Sequence, residues 1–303
     1  MIKLLSHLPL SVHYFLSDWL LFPLAFHVVR YRRRLVTRQL EECFPELSER
    51  QRKGIAKRFY HFLCDIVVEI IKMRTIPHDE MQRRVEFVGI PEMLRTLEQH
   101  DKQFGFFYLG HYGNWEWLSS FSLWLHKPWH GAQIYHPLYN KHMDQLFLDM
   151  RQQYGGECIP MKQTFRQIIS TRHDGGHQII GFIADQSPKW EAMHHWTDFL
   201  HHRTSFFVGT ERIARQVGAA LYYVRVTRPR RGHYRAELVP ITLNPDEIGE
   251  FEATDRYAEL LEQQIRECPE LWLWTHNRWK RTYEEWEIRQ KSYLRNLATE
   301  PSE

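Results

Sequence analysis

The chain has 303 residues, 43% of them hydrophobic, and its 40 Lys and Arg against 37 Asp and Glu leave a formal charge of only +3. That length supports one large core, and that charge excludes wholesale nucleic-acid binding, so positive charge matters here by where it clusters. Four cysteines, Cys43, Cys64, Cys158 and Cys268, show no C-x-x-C spacing and read as buried thiols of a reducing compartment. Aromatic residues reach 14%, with eleven tryptophans, which suits a protein seated partly at a lipid interface.

Residues 4–29 are apolar over a length that could cross a bilayer, although Pro9, Pro23, Asp18, His7, His13 and His27 interrupt the run. No small-residue cleavage site follows, so a removed signal peptide is not expected. Arg30, Arg32, Arg33 and Arg34 come next and would hold the following chain at a cytoplasmic, anionic face. Residues 1–34 therefore read as an N-terminal membrane-anchoring helix with a basic flank, either spanning the membrane or lying in its interface.

From residue 35 to 73 the apolar spacing is helical, with a stop at Pro45, Ser48 as a cap, and Ile55, Phe59, Phe62, Ile66 and Ile70 on one face. Residues 85–89 read as a short strand, and Pro91 opens another helix. The run 104–109, Phe-Gly-Phe-Phe-Tyr-Leu, then reads as a buried strand leading through Gly110, His111, Gly113 and Asn114 into a helix over 115–126. His111 falls on that turn. Glu116, five residues on, would lie about 140° away if both were helical. With His111 before the helix, the two can meet. A carboxylate on one imidazole nitrogen raises the basicity of the other, as a general base for a hydroxyl requires, and the helix start adds partial positive charge. A histidine in such a place can equally be a plain helix cap.

Residues 132–137 read as a strand, and 140–154 as a helix ending in Arg151 and Gly155-Gly156. Residues 164–171 read as a helix and 177–184 as a second buried strand. Asp185-Gln186 follows at its carboxyl end, where ligand groups gather in α/β sheets, so Asp185 is expected to share a cleft with His111 unless it only forms a turn. His194, His195, Asp198, His201 and His202 read as a solvated loop over that cleft and not as a metal site. Residues 210–217 read as a helix closed by Gly218. Strands over 220–227 and 234–240 join through a solvated tip at Arg228, Arg230 and Arg231, and a helix spans 255–267. Trp272 and Trp274 alternate as on a strand or interfacial edge. The expected architecture is α/β, a mixed central sheet flanked by helices over 35–282, with 283–303 a charged tail that is helical and then frayed.

The sequence His111-Tyr112-Gly113-Asn114-Trp115-Glu116 resembles the His-x4-Asp/Glu motif of the lysophospholipid acyltransferase superfamily, and its Glu variant resembles the bacterial lipid A (Kdo2-lipid A late) acyltransferase branch. Cys43-Phe44-Pro45-Glu46 and the ending around Trp274, Asn277 and Arg278 resemble the same branch, so the likeness covers nearly the whole chain. His136 departs from it, standing where many relatives carry Arg or Lys before the proline. The resemblance implies transfer of a fatty acyl group from a thioester, carried by acyl carrier protein, to a hydroxyl of a lipid acceptor such as a lipid A precursor, at the cytoplasmic face of the bacterial inner membrane. It implies His111 as base, Glu116 as its orienting partner, and Arg151, Asp185, Asn114 and Gln186 as substrate or oxyanion contacts, with Asp185 organising Arg151 or the acceptor. The hydroxyl would attack directly, since no cysteine has a partner base, and neither metal nor organic cofactor is needed. A glycerophospholipid or aminolipid acyltransferase is the alternative within the class; a non-catalytic lipid-binding protein or a metal hydrolase lies outside it.

Overall fold

The computed structural model describes residues 2–299, and its elements follow the order set by the hydrophobic pattern. Two short helices, α1 (Ile2–Ser6) and α2 (Leu10–Leu16), open the chain, and α2 runs on through π-helical turns at Ser17–Leu21 and Pro23–Val28. Then come α3 (Arg33–Cys43), α4 (Glu49–Met73), α5 (His78–Arg84), β1 (Val85–Val88), α6 (Ile90–Gln99), β2 (Phe104–Leu109), a 3-10 helix at Trp117–Trp124 and β3 (Trp129–Tyr135). Next are α7 (Lys141–Gln152), β4 (Glu157–Pro160), α8 (Thr164–His173), β5 (His177–Ile183), β6 (Trp196–Phe199) and β7 (His202–Ser205). The chain closes with α9 (Gly209–Val217), β8 (Ala220–Arg230), β9 (His233–Thr242), α10 (Glu252–Glu267) and α11 (Tyr283–Thr299).

Seven strands form one mixed sheet in the order β1-β9-β8-β2-β5-β3-β4, antiparallel only at the β8–β9 hairpin. All six residues of β2 are buried, as expected of a central strand covered on both faces. The expected α/β architecture is therefore observed. The long helix α4 carries the capping box anticipated at Ser48, with Gln51 returning the bond.

The N-terminal expectation is only partly met. Among the described residues no single helix is long and apolar enough to cross a membrane; the segment is broken and turns by 81° between Leu10–Val28 and Arg33–Cys43. Several of its side chains face inward onto α4. Ser17 Oγ donates to Asp65 at 2.8 Å, and the Phe22 ring stacks on His61 with 3.5 Å between ring centroids. Leu4, Phe15, Trp19, Leu20, Val28 and Val29 are left exposed.

Two further expectations are corrected. The stretch around His194–His202 is not a loose loop but the β6–β7 hairpin, where His195 pairs with Asp255 at 2.6 Å and the His202 ring stacks on Trp279. Trp272 and Trp274 form no interfacial edge; both are buried. The tip between β8 and β9 is exposed at Pro229, Arg230 and Arg231 as expected, but Arg228 and Arg231 both reach Asp65 from it, and Arg231 also grips Asp18 at 2.7 and 2.8 Å. The frayed end expected after α11 lies outside the described residues.

Candidate active site

The centre of the site follows from strand register. β2 and β5 run parallel with Leu109 opposite Ile183, so residues two positions beyond each partner emerge side by side at the sheet's carboxyl edge. Those residues are His111 and Asp185. Asp185 Oδ1 lies 2.6 Å from His111 Nδ1, and Oδ2 accepts from the His111 backbone N–H at 2.8 Å and from Trp272 Nε1 at 2.9 Å. Burial would raise the Asp185 carboxyl, but attraction to His111 and these hydrogen bonds outweigh it and hold its pKa at about 2. Nδ1, facing a carboxylate, carries the ring proton, which leaves a lone pair on Nε2. The Gln186 amide lies 3.1 Å from Nε2 and donates to it.

Tyr112, Gly113 and Asn114 are each fixed by residues distant in sequence. Tyr112 bridges Trp272, and its hydroxyl donates to the Cys268 carbonyl at 2.9 Å. Gly113 has φ +62°, and a Cβ there would stand 2.8 Å from Val226 Cγ1, so both backbone conformation and space require glycine. Asn114 is wholly buried: its Oδ1 accepts from Trp117 N–H at 3.1 Å and its Nδ2 donates to Glu69 at 2.8 Å. Asn114 therefore does not reach a substrate. It also occupies an N–H at the start of the helix that was expected to face a developing oxyanion, and that helix is 3-10 instead of α.

Glu116 does not orient His111. Its carboxylate is held in a two-pronged pair by Arg151, with Nε at 2.8 Å and Nη2 at 2.7 Å. Burial of Arg151 opposes its charge, yet the bonds to Glu116 raise its pKa on balance. Asp185 organises His111 and not Arg151. The structure brings the four residues named from sequence to one place but with the carboxylates exchanged: the pairs are His111–Asp185 and Glu116–Arg151.

Both pairs border one cleft of about 590 Å³. His111, Glu116, Arg151 and Gln186 line it together with Phe107, Leu109, Leu118, Phe121, Phe182 and Ile213; His136 lies at the same cleft. This is an apolar slot with a few convergent polar groups, the usual form of a small-molecule site. Chemically, it offers a lone pair able to take a proton from a hydroxyl, an amide donor beside it and apolar walls for a hydrocarbon chain.

Three supporting residues escaped the sequence reading. Trp272 donates to Asp185. His276 Nε2 accepts from Ser187 N–H at 3.3 Å, and burial pushes its pKa down to about 4, against the pull of Asp185. Glu69 holds Asn114, and the signal for it was present: Asp65 and Glu69 stand four apart on an otherwise apolar stretch, where carboxylates need buried partners. Arg278, also buried, ties Ser205 O at 2.6 Å to Gln39, whose side chain accepts the Arg278 backbone N–H at 3.0 Å.

The family described as "Bacterial lipid A biosynthesis acyltransferase" matches residues 1–281. The chain is also similar to a lipid A biosynthesis lauroyltransferase of Escherichia coli (strain K12), at 24% identity over 260 residues that cover 85% of this chain and 82% of the relative.

Proposed function

Since the chain belongs to the bacterial lipid A biosynthesis acyltransferase family and is an acyltransferase, we propose that it moves a fatty acyl group from acyl carrier protein to a hydroxyl of a lipid A precursor, with His111 and Asp185 as the base and its orienting partner. The observation that carries this reading is the 2.6 Å contact between His111 Nδ1 and Asp185, with Nε2 bordering the cleft.

The acceptor hydroxyl displaces the Gln186 amide from Nε2 and gives its proton to His111 as its oxygen bonds to the thioester carbonyl carbon. Asp185 stabilises the imidazolium. Gln186, freed from the ring, donates to the oxyanion; when the C–S bond breaks, the imidazolium returns its proton to the leaving thiolate. Arg151 has its charge balanced by Glu116, so this pair serves to hold the cleft wall and the turn, and adds little net charge. The acyl chain lies among Phe107, Phe121 and Phe182.

Attachment to the cytoplasmic face of the inner membrane is supported by the exposed apolar face of the N-terminal segment, where Trp19 is 74% and Val28 72% exposed, and by the exposed Arg30, Arg32, Arg33 and Arg34 beside it. Purified protein given an acyl carrier protein thioester and a lipid A precursor in detergent should yield the acylated lipid by mass spectrometry. Equal yield from folded His111→Ala protein would overturn the mechanism, and the absence of product from the wild type would overturn the choice of substrates.

A further inference from the structure

Glu69 lies one turn before the C-terminal end of α4, fully buried, and its side chain does something that no core carboxylate requires: it joins the N-terminal segment to the turn carrying His111. Tyr14 Oη donates to Oε1 at 2.8 Å, while Asn114 Nδ2 and Tyr234 Oη reach Oε2 at 2.8 and 2.7 Å. The Glu69 carbonyl takes the Trp117 indole N–H at 3.1 Å. Burial raises the carboxyl's pKa, opposed by Arg228 at 4.0 Å and by these donors. Tyr14 is itself fixed, with the Arg231 guanidinium 4.3 Å above its ring and its hydroxyl over Gly232, where any Cβ would collide with it. Asn114 stands three residues after His111 and two before Glu116, so a shift of its amide moves both polar pairs of the cleft.

We propose that Glu69 is a positioning residue for acyl transfer, completed by Tyr14, so that docking of the N-terminal segment sets the geometry of the catalytic turn as well as the protein's location. This rests on the acyl-transfer reading above. Misplacement of a reacting group by about 1 Å costs on the order of 10²-fold in rate, and one hydrogen bond to a charged group is worth about tenfold or more.

The test compares full-length Tyr14→Phe, Glu69→Gln and Trp19→Ala proteins in detergent micelles, with an acyl carrier protein thioester as donor and a lipid A precursor as acceptor. The His111 ring N–H is followed by NMR of histidine-labelled protein and assigned by its loss in His111→Ala. Expected results are a kcat lowered about 10²-fold in Glu69→Gln and about tenfold in Tyr14→Phe, unchanged KM, and a moved ring-proton signal in both. Trp19→Ala should keep wild-type kcat. An unmoved ring signal with unchanged kcat, or a raised KM alone, would overturn the proposal, even if thermal stability fell. Should Glu69→Gln not fold, Tyr14→Phe decides alone, since it loses a single oxygen. The ring signal needs no turnover, so an inactive wild type would count against the substrates and not against the positioning role.

Discussion

Residues 111–116 and residues 10–31 use their polar side chains to different ends. In the catalytic turn the polar groups point inward to partners far away in sequence: His111 to Asp185, Asn114 to Glu69, Glu116 to Arg151. In the N-terminal segment Tyr14, Ser17 and Asp18 also point inward, but they do so in order to leave Phe15, Trp19 and Leu20 outside. A turn that holds one lone pair in place, as proposed for His111, uses its polar side chains for rigidity. A segment that meets lipid, as proposed for residues 10–31, uses them to fasten its inner face, which frees the outer one.

The largest effects should come from the turn. His111→Ala and Asp185→Asn should each cost on the order of 10²–10⁴ in turnover, because the amide favours the tautomer with the proton on Nε2. Near-wild-type turnover in either would break the contrast at its first member. Arg151→Ala should be felt first in stability: it strands the buried Glu116 carboxylate, a loss of about 3–5 kcal/mol in denaturant titration. Arg151→Lys should recover part of this, since a point charge does not reproduce the planar fork.

The N-terminal segment should give smaller and different losses. Trp19→Ala should lower the membrane-bound fraction about tenfold in vesicle flotation while leaving the fold intact. Removal of residues 1–31 should do more than solubilise: Asp65 and Glu69 lose Ser17 and Tyr14, so the thermal midpoint should fall as well. A truncated protein as stable as the whole would show that the inward polar contacts fasten nothing.

The pH dependence gives the finest test. The folded-state pKa of His276 is about 4, below its ordinary 6.5, so below pH 6.5 the unfolded chain takes up a proton that the folded chain refuses. Stability should therefore decline from pH 6.5 towards 4, and less so in His276→Gln, as read by thermal midpoints. Asp185 contributes stability above about pH 4 that is lost as pH falls towards 2. Identical midpoint curves for wild type and His276→Gln over pH 6.5–4 would remove His276 from the support of the Gln186–Ser187 loop.

Much of this was legible before the structure. The apolar runs of β2 and β5, the caps of α4 and α7, and the glycine stop of α9 all follow from local pattern, and they place His111 and Asp185 at strand ends. Partner choice did not follow. The five-residue spacing made Glu116 look like the natural companion of His111, whereas the decisive contact comes from 74 residues away through the register of two parallel strands. Had both strands been extended by equal steps past their last apolar residue, Asp185 would have been named as the partner of His111. The β6–β7 hairpin was missed because its strands are only four residues long and are flanked by histidines, and the inward turn of residues 10–31 because apolar content alone does not say which face meets protein.

The central claim is that Asp185, and not Glu116, governs His111. A double-variant cycle of turnover with thioester donor and lipid acceptor tests it directly, using His111→Ala, Asp185→Asn and Glu116→Gln singly and in pairs. Asp185→Asn should add almost nothing once His111 is gone, while Glu116→Gln should still exact its own further loss in that background. The converse, Glu116→Gln silent and Asp185→Asn fully additive in His111→Ala protein, would restore the His111–Glu116 pair and contradict the geometry described here.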